Sequence, residues 1–415
     1  MLIQFNFENY KSYLNETSLD LTATNISEFT SNLIYYKKNE KYLKAISIYG
    51  ANSSGKSNIL EAFKHMRNWV LKSFELSGNK KVIPQKPFQF CEGGKKGKVM
   101  FEVFFAINNN EYQYGYRADD KKIYEEWLYK RDFRAKSKYI LVFERDGQKF
   151  NLREELKKTQ ELLNSINERT LLISILSNLQ IEDAINVSTW FQETNVVNFG
   201  DTTFEFLISK TLPKVEFENP VQYKMFIDFL TAIDVGIEGI KLEKITDNEQ
   251  LDENGKGNDS RYKIFTQHRN TDTGELEIIS LADESSGTIK MISLYYFLNE
   301  ALRYGRTLFI DEMDAKLHPL LTRYIVNLFQ SEESNPNNAQ LIFTTHDTNT
   351  LTKELFRRDQ IWFVEKDTKG VSSLYSLVEY KINNTKIRKD ATYNKDYLGG
   401  RYGAIPYLNI YRVGE

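Results

Sequence analysis

Apolar side chains fall at Leu2, Phe5 and Phe7, then again at Leu19 and Leu21, with the more polar stretch 9–18 between the groups. Near-alternation on either side of a polar break predicts two antiparallel strands and their connection. KAISIYG, ending at Gly50, is a short apolar run of the length of a buried strand. Ile59, Phe63, Met66 and Val70 follow at i, i+4, i+7 and i+11, so a helix starts just after Lys56. Residues 99–117 read as a hairpin around Asn108, Asn109 and Asn110. Further strands are predicted near 123–130 and 139–143, with a turn at Asp146-Gly147.

The period changes at about 151. Leu152, Leu156, Leu163, Ile166 and Ile173 keep near-helical spacing, and helices are predicted to continue to about 233. Residues 248–260 are polar and glycine-containing, which predicts a loop. The runs YKIFTQHR and ELEIISL then form a hairpin. From 281 the pattern is helix, strand, helix, strand, ending in TLFIDE, a helix from about 319, and LIFTTH. That alternation implies a parallel sheet with crossover helices. The strand before Lys56 and the strand ending at Asp311 are far apart in sequence. The expected architecture is therefore one α/β head interrupted by a mostly helical insertion. It divides into residues 1–150 with a β subdomain, an insertion over 151–235, the rest of the head over 236–380, and a tail over 381–415.

Composition narrows this picture in three ways. At ~150 residues per domain, 415 residues suggest two or three domains. A net charge of -2 excludes a polycation, so any contact with nucleic acid needs a local patch or a partner. The single cysteine, Cys91, excludes an internal disulfide and suits a reducing cytoplasm. The start lacks a signal-peptide layout, and no apolar run approaches the roughly 18 residues of a membrane helix. A cytoplasmic location without membrane contact is expected.

Candidate chemistry begins at Gly50. Gly50, four residues, then Gly55-Lys56-Ser57 form a P-loop pattern between a strand and a helix. Its backbone, including Asn52, Ser53 and Ser54, can aim N–H groups at phosphate oxygens. Lys56 then reaches the β- and γ-phosphates of ATP, Ser57 offers its hydroxyl to Mg²⁺, and Asn58 follows on the helix. Asp311 ends a buried strand, where a carboxylate can hold a Mg²⁺-bound water. Glu312, next in line, can polarise an attacking water. Ser285, Ser286 and Gly287 sit at a helix N-terminus, which is either a plain serine cap or an anion site. MDAKLHP follows Glu312, and His346 ends the strand LIFTTH, where ligands fall in parallel sheets. Of the four histidines, only His346 is so placed.

This order of P-loop, Ser-Ser-Gly, strand-end Asp-Glu, short turn and strand-end histidine resembles the ABC-class ATPases. It looks like their soluble branch, the SMC, RecF-type and OLD-family heads. FNFENYKSY resembles that branch's N-terminal motif, with Lys11 in its basic position. YGANSSGKSNILEA, ESSGT, FIDEMDAKLHP, FTTHD and the tail YLGGRYGAIPYL look more closely like compact ATPases of bacterial antiphage operons. These include the ATPase subunits of PARIS-, RloA- and AbiL-type abortive-infection systems.

The resemblance implies the P-loop NTPase head of an ABC-type ATPase, with Lys56, Glu312 and His346 in catalytic roles. It also implies a nucleotide contact from Lys11. Ser285, Ser286 and Gly287 of one subunit would cap the γ-phosphate held by Lys56 of another, with Asp314 in the turn between them. That gives a head-to-tail dimer, with higher order left open. The glutamine expected near the metal has no certain counterpart; Gln89 in PFQF is the best candidate. The insertion lacks the heptads of a coiled-coil arm, and no nuclease domain fits after His346.

Two functions compete. One is a sensor or scaffold ATPase in antiphage defence, controlling a separately encoded effector such as a TOPRIM- or RloB-like nuclease and answering a phage trigger protein. The other is a RecF- or SMC-like repair ATPase acting directly on DNA. Lysines and arginines crowd two segments, around 80–98 and 130–138, and read either as solvated faces or as a phosphate-binding surface.

Overall fold

The computed structural model describes residues 1–37, 40–78, 84–132, 138–163, 166–200, 219–233, 236–245, 261–382, 385–387 and 391–406. The expected loop at 248–260 lies outside these, as do Lys80, Lys81, Arg134, Lys136 and the segment 201–218.

The N-terminal pair is as the alternation predicts: β1 (Leu2–Glu8) and β2 (Thr17–Asp20) are antiparallel neighbours. A small ribbon, β3 (Leu33–Lys37) and β4 (Glu40–Leu43), leads into the fully buried β5 (Ala45–Gly50). Helix α1 (Lys56–Gly78) follows, with Ile59, Phe63, Met66 and Val70 all buried. After the short α2 (Glu92–Lys96) come β6 (Val99–Ile107) and β7 (Asn110–Ala118), joined by Asn108-Asn109. Both asparagines take left-handed φ values, 50° and 65°. A two-residue turn with that twist matches the strands it joins, and asparagine tolerates it. Strands β8 (Ile123–Asp132), β9 (Ile140–Asp146) and β10 (Lys149–Leu152) complete an antiparallel sheet in the order β10-β9-β8-β7-β6-β1-β2.

Helices α3 (Gln160–Leu163), α4 (Leu172–Asn178) and α5 (Glu182–Glu193) then pack back onto this lobe. Trp190 stacks on Phe105 with ring centroids 4.1 Å apart, and Arg67 of α1 donates to the Phe191 carbonyl at 2.7 Å. The stretch expected to be helical to about 233 also contains a strand, β11 (Asn195–Asn198). It lies parallel to a strand more than a hundred residues later, with Val197 opposite Ile310. Four residues are too few to display a period, and β-branched Val196-Val197 suit the sheet edge they join.

Beyond α6 (Pro220–Ile233), strands β12 (Ile237–Ile245), β13 (Arg261–Arg269) and β14 (Leu276–Ser280) form a separate antiparallel sheet. Its small core joins Phe226, Leu230, Ile240 and Ile264 to Tyr295 of α7 (Ser286–Tyr304). The alternation expected after 281 follows: β15 (Thr307–Asp311), α8 (Pro319–Gln330), β16 (Gln340–Thr344), β17 (Ile361–Lys366) and β18 (Ser372–Ser376). Two short strands, β19 (Lys381–Ile382) and β20 (Thr385–Lys386), precede α9 (Tyr393–Leu398).

The central sheet runs β11-β15-β16-β5-β17-β18, parallel except for β18. Its strands are buried on both faces, and period two divides their side chains between two cores. Ile46, Ile48, Phe309, Ile342 and Val364 face α1 and the antiparallel lobe. Leu308, Ile310, Leu341, Phe343 and Phe363 face α7, α8 and the tail. Phe63 of α1 stacks on Phe309 at 4.4 Å. Each such fully buried side chain contributes about 1.5–3 kcal/mol relative to exposure. This two-sided packing fixes the C-terminal edge of the sheet, where the candidate chemistry lies. Among the described residues, no helix is long and apolar enough to cross a membrane.

Candidate functional site

Strands β5, β15 and β16 end side by side, and their following loops enclose an open cleft of about 650 Å³. Asn52, Ser53, Gly55, Lys56, Ser57 and Asn58 line one wall. Glu312, Asp314, Ala315 and His346 line the other, with Lys366 as a further member.

The loop between β5 and α1 has the backbone its glycines allow. A Cβ on Gly50 would lie 2.5 Å from the Val364 carbonyl oxygen. At Gly55, φ is 117°, and a Cβ would lie 2.5 Å from the Ser372 hydroxyl. Both positions therefore require the residue without a side chain. The N-terminal segment braces the loop from behind. Tyr13 donates its hydroxyl to the Gly55 carbonyl at 3.2 Å, and Asn58 donates to the Ser12 hydroxyl at 2.8 Å. Ser372 bonds the Ser12 hydroxyl at 2.8 Å and donates to the Ser54 carbonyl.

Lys56 donates to the carbonyls of Gly50 and Ala51 at 2.8 and 3.0 Å and is paired with no carboxylate among the described residues. Burial pulls its ammonium down to about 8, against the opposing influence of Asp311, Asp314 and Glu312. The buried Ser54 hydroxyl has no hydrogen-bond partner among the described residues. A cleft-lining lysine in no ion pair among the described residues, beside a glycine cradle, fits the phosphate chain of a nucleotide.

Opposite, Asp311 is buried at the end of β15 and accepts from the Thr344 hydroxyl at 2.5 Å. The same hydroxyl accepts the Glu312 N–H at 2.8 Å. Glu312 has φ 51°, a left-handed conformation for a residue with a side chain. Such a conformation costs of order 1–3 kcal/mol and persists because the strand exit is held on both sides. Here it turns Glu312 into the cleft while Asp311 stays behind. Asp314 accepts the His346 N–H at 3.2 Å, tying the turn after β15 to the end of β16. Burial first, and Lys56 second, hold the His346 imidazole below its ordinary value. The ring is thus neutral near pH 7 and able to donate one hydrogen bond.

Other expected residues lie elsewhere. Ser285 caps α7 by accepting the Thr288 N–H at 3.1 Å, and Ser285 and Ser286 are exposed. With Gly287, they are not among the residues lining the chain's own cleft. Glu284, just before them, is held by Thr266 and by His268, the latter at 2.7 Å. Lys11 pairs with Glu61 of α1 and does not line the cleft. Gln89 is exposed, donates to the Pro87 carbonyl at 2.8 Å, and does not line the cleft either.

Several residues at the site carry no recognisable motif. Lys290 of α7 donates to the carbonyls of Phe199 and Ala315, joining the serine-capped helix to β11 and to the turn after Glu312. Gly200 packs against Glu312: a Cβ there would lie 2.5 Å from Oε2. A Gly200→Ala variant is expected to displace that carboxylate. Single-turnover hydrolysis should fall about 10–100-fold while ATP affinity by calorimetry stays unchanged. A variant hydrolysing at the parent rate would remove Gly200 from this role.

A family model described as "AAA domain, putative AbiEii toxin, Type IV TA system" matches residues 46–352. The fold is also similar to two solved SMC heads. One, bound to the C-winged helix domain of ScpA, is 16% identical, with a TM-score of 0.44 over 90% of this chain and 97% of that one. The other, from Thermotoga maritima, is 14% identical, with a TM-score of 0.43 over 92% and 99%. Among curated proteins none matches this chain.

Proposed function

The chain belongs to the AbiEii-type AAA-domain family, and from that premise we propose that it is an ABC-class ATPase acting as the sensor or scaffold subunit of an abortive-infection system. It would control a separately encoded effector, a nuclease or toxin, in response to a phage trigger. The observation that carries the ATPase reading is the convergence of Lys56, Glu312 and His346 on one cleft, with Asp311 directly behind. Lys56 and the loop N–H groups bind the β- and γ-phosphates. Ser57 and Asp311 would hold Mg²⁺, which when bound neutralises phosphate charge and orients the terminal group. Glu312 accepts a proton from the attacking water, and neutral His346 donates a hydrogen bond to the γ-phosphate oxygens.

One part of the site is absent from the chain's own cleft. A triphosphate on a single P-loop leaves its outer γ-oxygens uncovered, and the exposed Ser285–Gly287 helix end of a second copy is suited to cover them. Two chains associated head to tail would then enclose two nucleotides. Mixing tests this. Lys56→Ala chains and Ser286→Arg chains, each inactive alone, should regain part of the ATPase activity together, because one composite site of the mixed dimer carries neither lesion. Proven hetero-association without recovered activity would sink the arrangement. The defence role is tested by phage challenge of cells carrying this gene with and without its neighbour; protection independent of any neighbouring gene would count against effector control.

Direct action on DNA draws little support from the described basic residues. Lys96 pairs with Glu92, Lys130 with Asp183 and Arg131 with Glu111, while Lys98 lies over the Tyr124 ring.

A further inference from the structure

Lys366 lines the cleft but has no part in the nucleotide chemistry proposed above. It is the last residue of β17, two beyond Val364, which is in register with Gly50. β17 borders β5 on the side away from β16. Glu312 and His346 enter the cleft from the β15 and β16 side, with Asp311 behind them, so Lys366 enters from the opposite flank of the P-loop.

Its position is fixed by its neighbours. The return strand of the hairpin brings Ser372 into register with Lys366. Ser372 donates its N–H to the Ser12 carbonyl at 2.8 Å and its hydroxyl to the Ser54 carbonyl. The base of the hairpin is therefore bonded to the P-loop backbone. Among the described residues no carboxylate pairs with Lys366. Asp367 accepts from the turn amides of Lys369 and Val371, both through Oδ1 at 2.9 and 2.8 Å. Glu365 alternates to the other face of the strand and lies beside Gly403. A lysine held at a polyanion-sized cleft without a counter-ion has one obvious electrostatic use.

We propose that Lys366 is a second cation of the nucleotide site and contacts the α-phosphate end of the bound nucleotide, leaving the β- and γ-phosphates to Lys56. This rests on the ATP-binding reading above. The flank decides which phosphate: the hydrolytic residues mark the γ end on the β15 and β16 side, and Lys366 stands across the loop from them.

Calorimetry with ATP and with ADP, both in excess Mg²⁺, separates the outcomes. Lys366→Ala should weaken ATP and ADP by the same factor, about tenfold. Lys366→Arg should retain most of the affinity of each, with the parent's salt dependence, whereas the salt dependence of binding should flatten when the charge is removed. Lys366→Gln, closer in shape, should match alanine, which separates lost charge from lost packing. Unchanged affinities would overturn the proposal. A loss confined to ATP would overturn it too, because it would place the lysine at the γ-phosphate. If the parent protein binds neither nucleotide, the ATP-binding reading itself falls, and this inference with it.

Discussion

Glu312→Gln is expected to bind ATP as the parent does and to hydrolyse it about 10²–10⁴-fold more slowly. The amide preserves the shape of a side chain that the left-handed backbone and the Thr344 hydroxyl aim into the cleft. It cannot accept the proton of the attacking water. Lys56 and the P-loop amides are untouched, so the affinity term stays and the chemical step is lost. The variant should therefore accumulate the ATP-bound state. If exposed Ser285 and Ser286 close over a partner's nucleotide, light scattering should show a stable dimer in ATP that the parent forms only transiently. Turnover at the parent rate would remove Glu312 as the base.

Lys56→Ala is expected to abolish measurable nucleotide binding. Its ammonium lines the cleft, bonded to the Gly50 and Ala51 carbonyls and in no ion pair among the described residues, and in the proposed site it is the group that reaches the β- and γ-phosphates. In the parent, the lysine titrates at about 8 before nucleotide arrives. A bound polyanion raises that value, so binding takes up a proton wherever the free lysine has lost one. Affinity should be level below pH 8 and decline as pH rises above it, and Lys56→Arg should move the decline out of range. Calorimetry at several pH values reads both. Undiminished ATP affinity in Lys56→Ala would sink the assignment.

What was legible in the sequence was what is local. The P-loop, the Asp311-Glu312 strand end and the Asn108-Asn109 hairpin each need only adjacent residues to declare themselves. The two-period strands and the helical period of α1 are equally local. The rest depends on distant neighbours. β11 is a strand because β15 offers it an edge, and four residues of any composition carry little period of their own. Gly200 matters because Glu312 lies against it, and Lys366 because Ser372 reaches Ser12 and Ser54. Lys11 and Gln89 had motif-like contexts, yet Lys11 is engaged with Glu61 and Gln89 with its own chain. Lys130 and Arg131 left a solvated face and an anion-binding surface equally open, because their partners, Asp183 and Glu111, lie outside that segment.

The position of β5 has a consequence for how the molecule comes into being. Its two neighbours in the sheet are β16 and β17, so Ala45 is in register with Leu341 and Gly50 with Val364. Both are synthesised roughly 300 residues after β5, which at about 5–20 residues per second is on the order of 15–60 s of translation. Throughout that interval the emerging chain carries an apolar strand without its flanking partners, and loop closure over such a distance is slow. Nascent chains arrested before residue 340 would thus present KAISIYG to chaperones, and nucleotide could begin to assist folding only after β16 and β17 have left the ribosome.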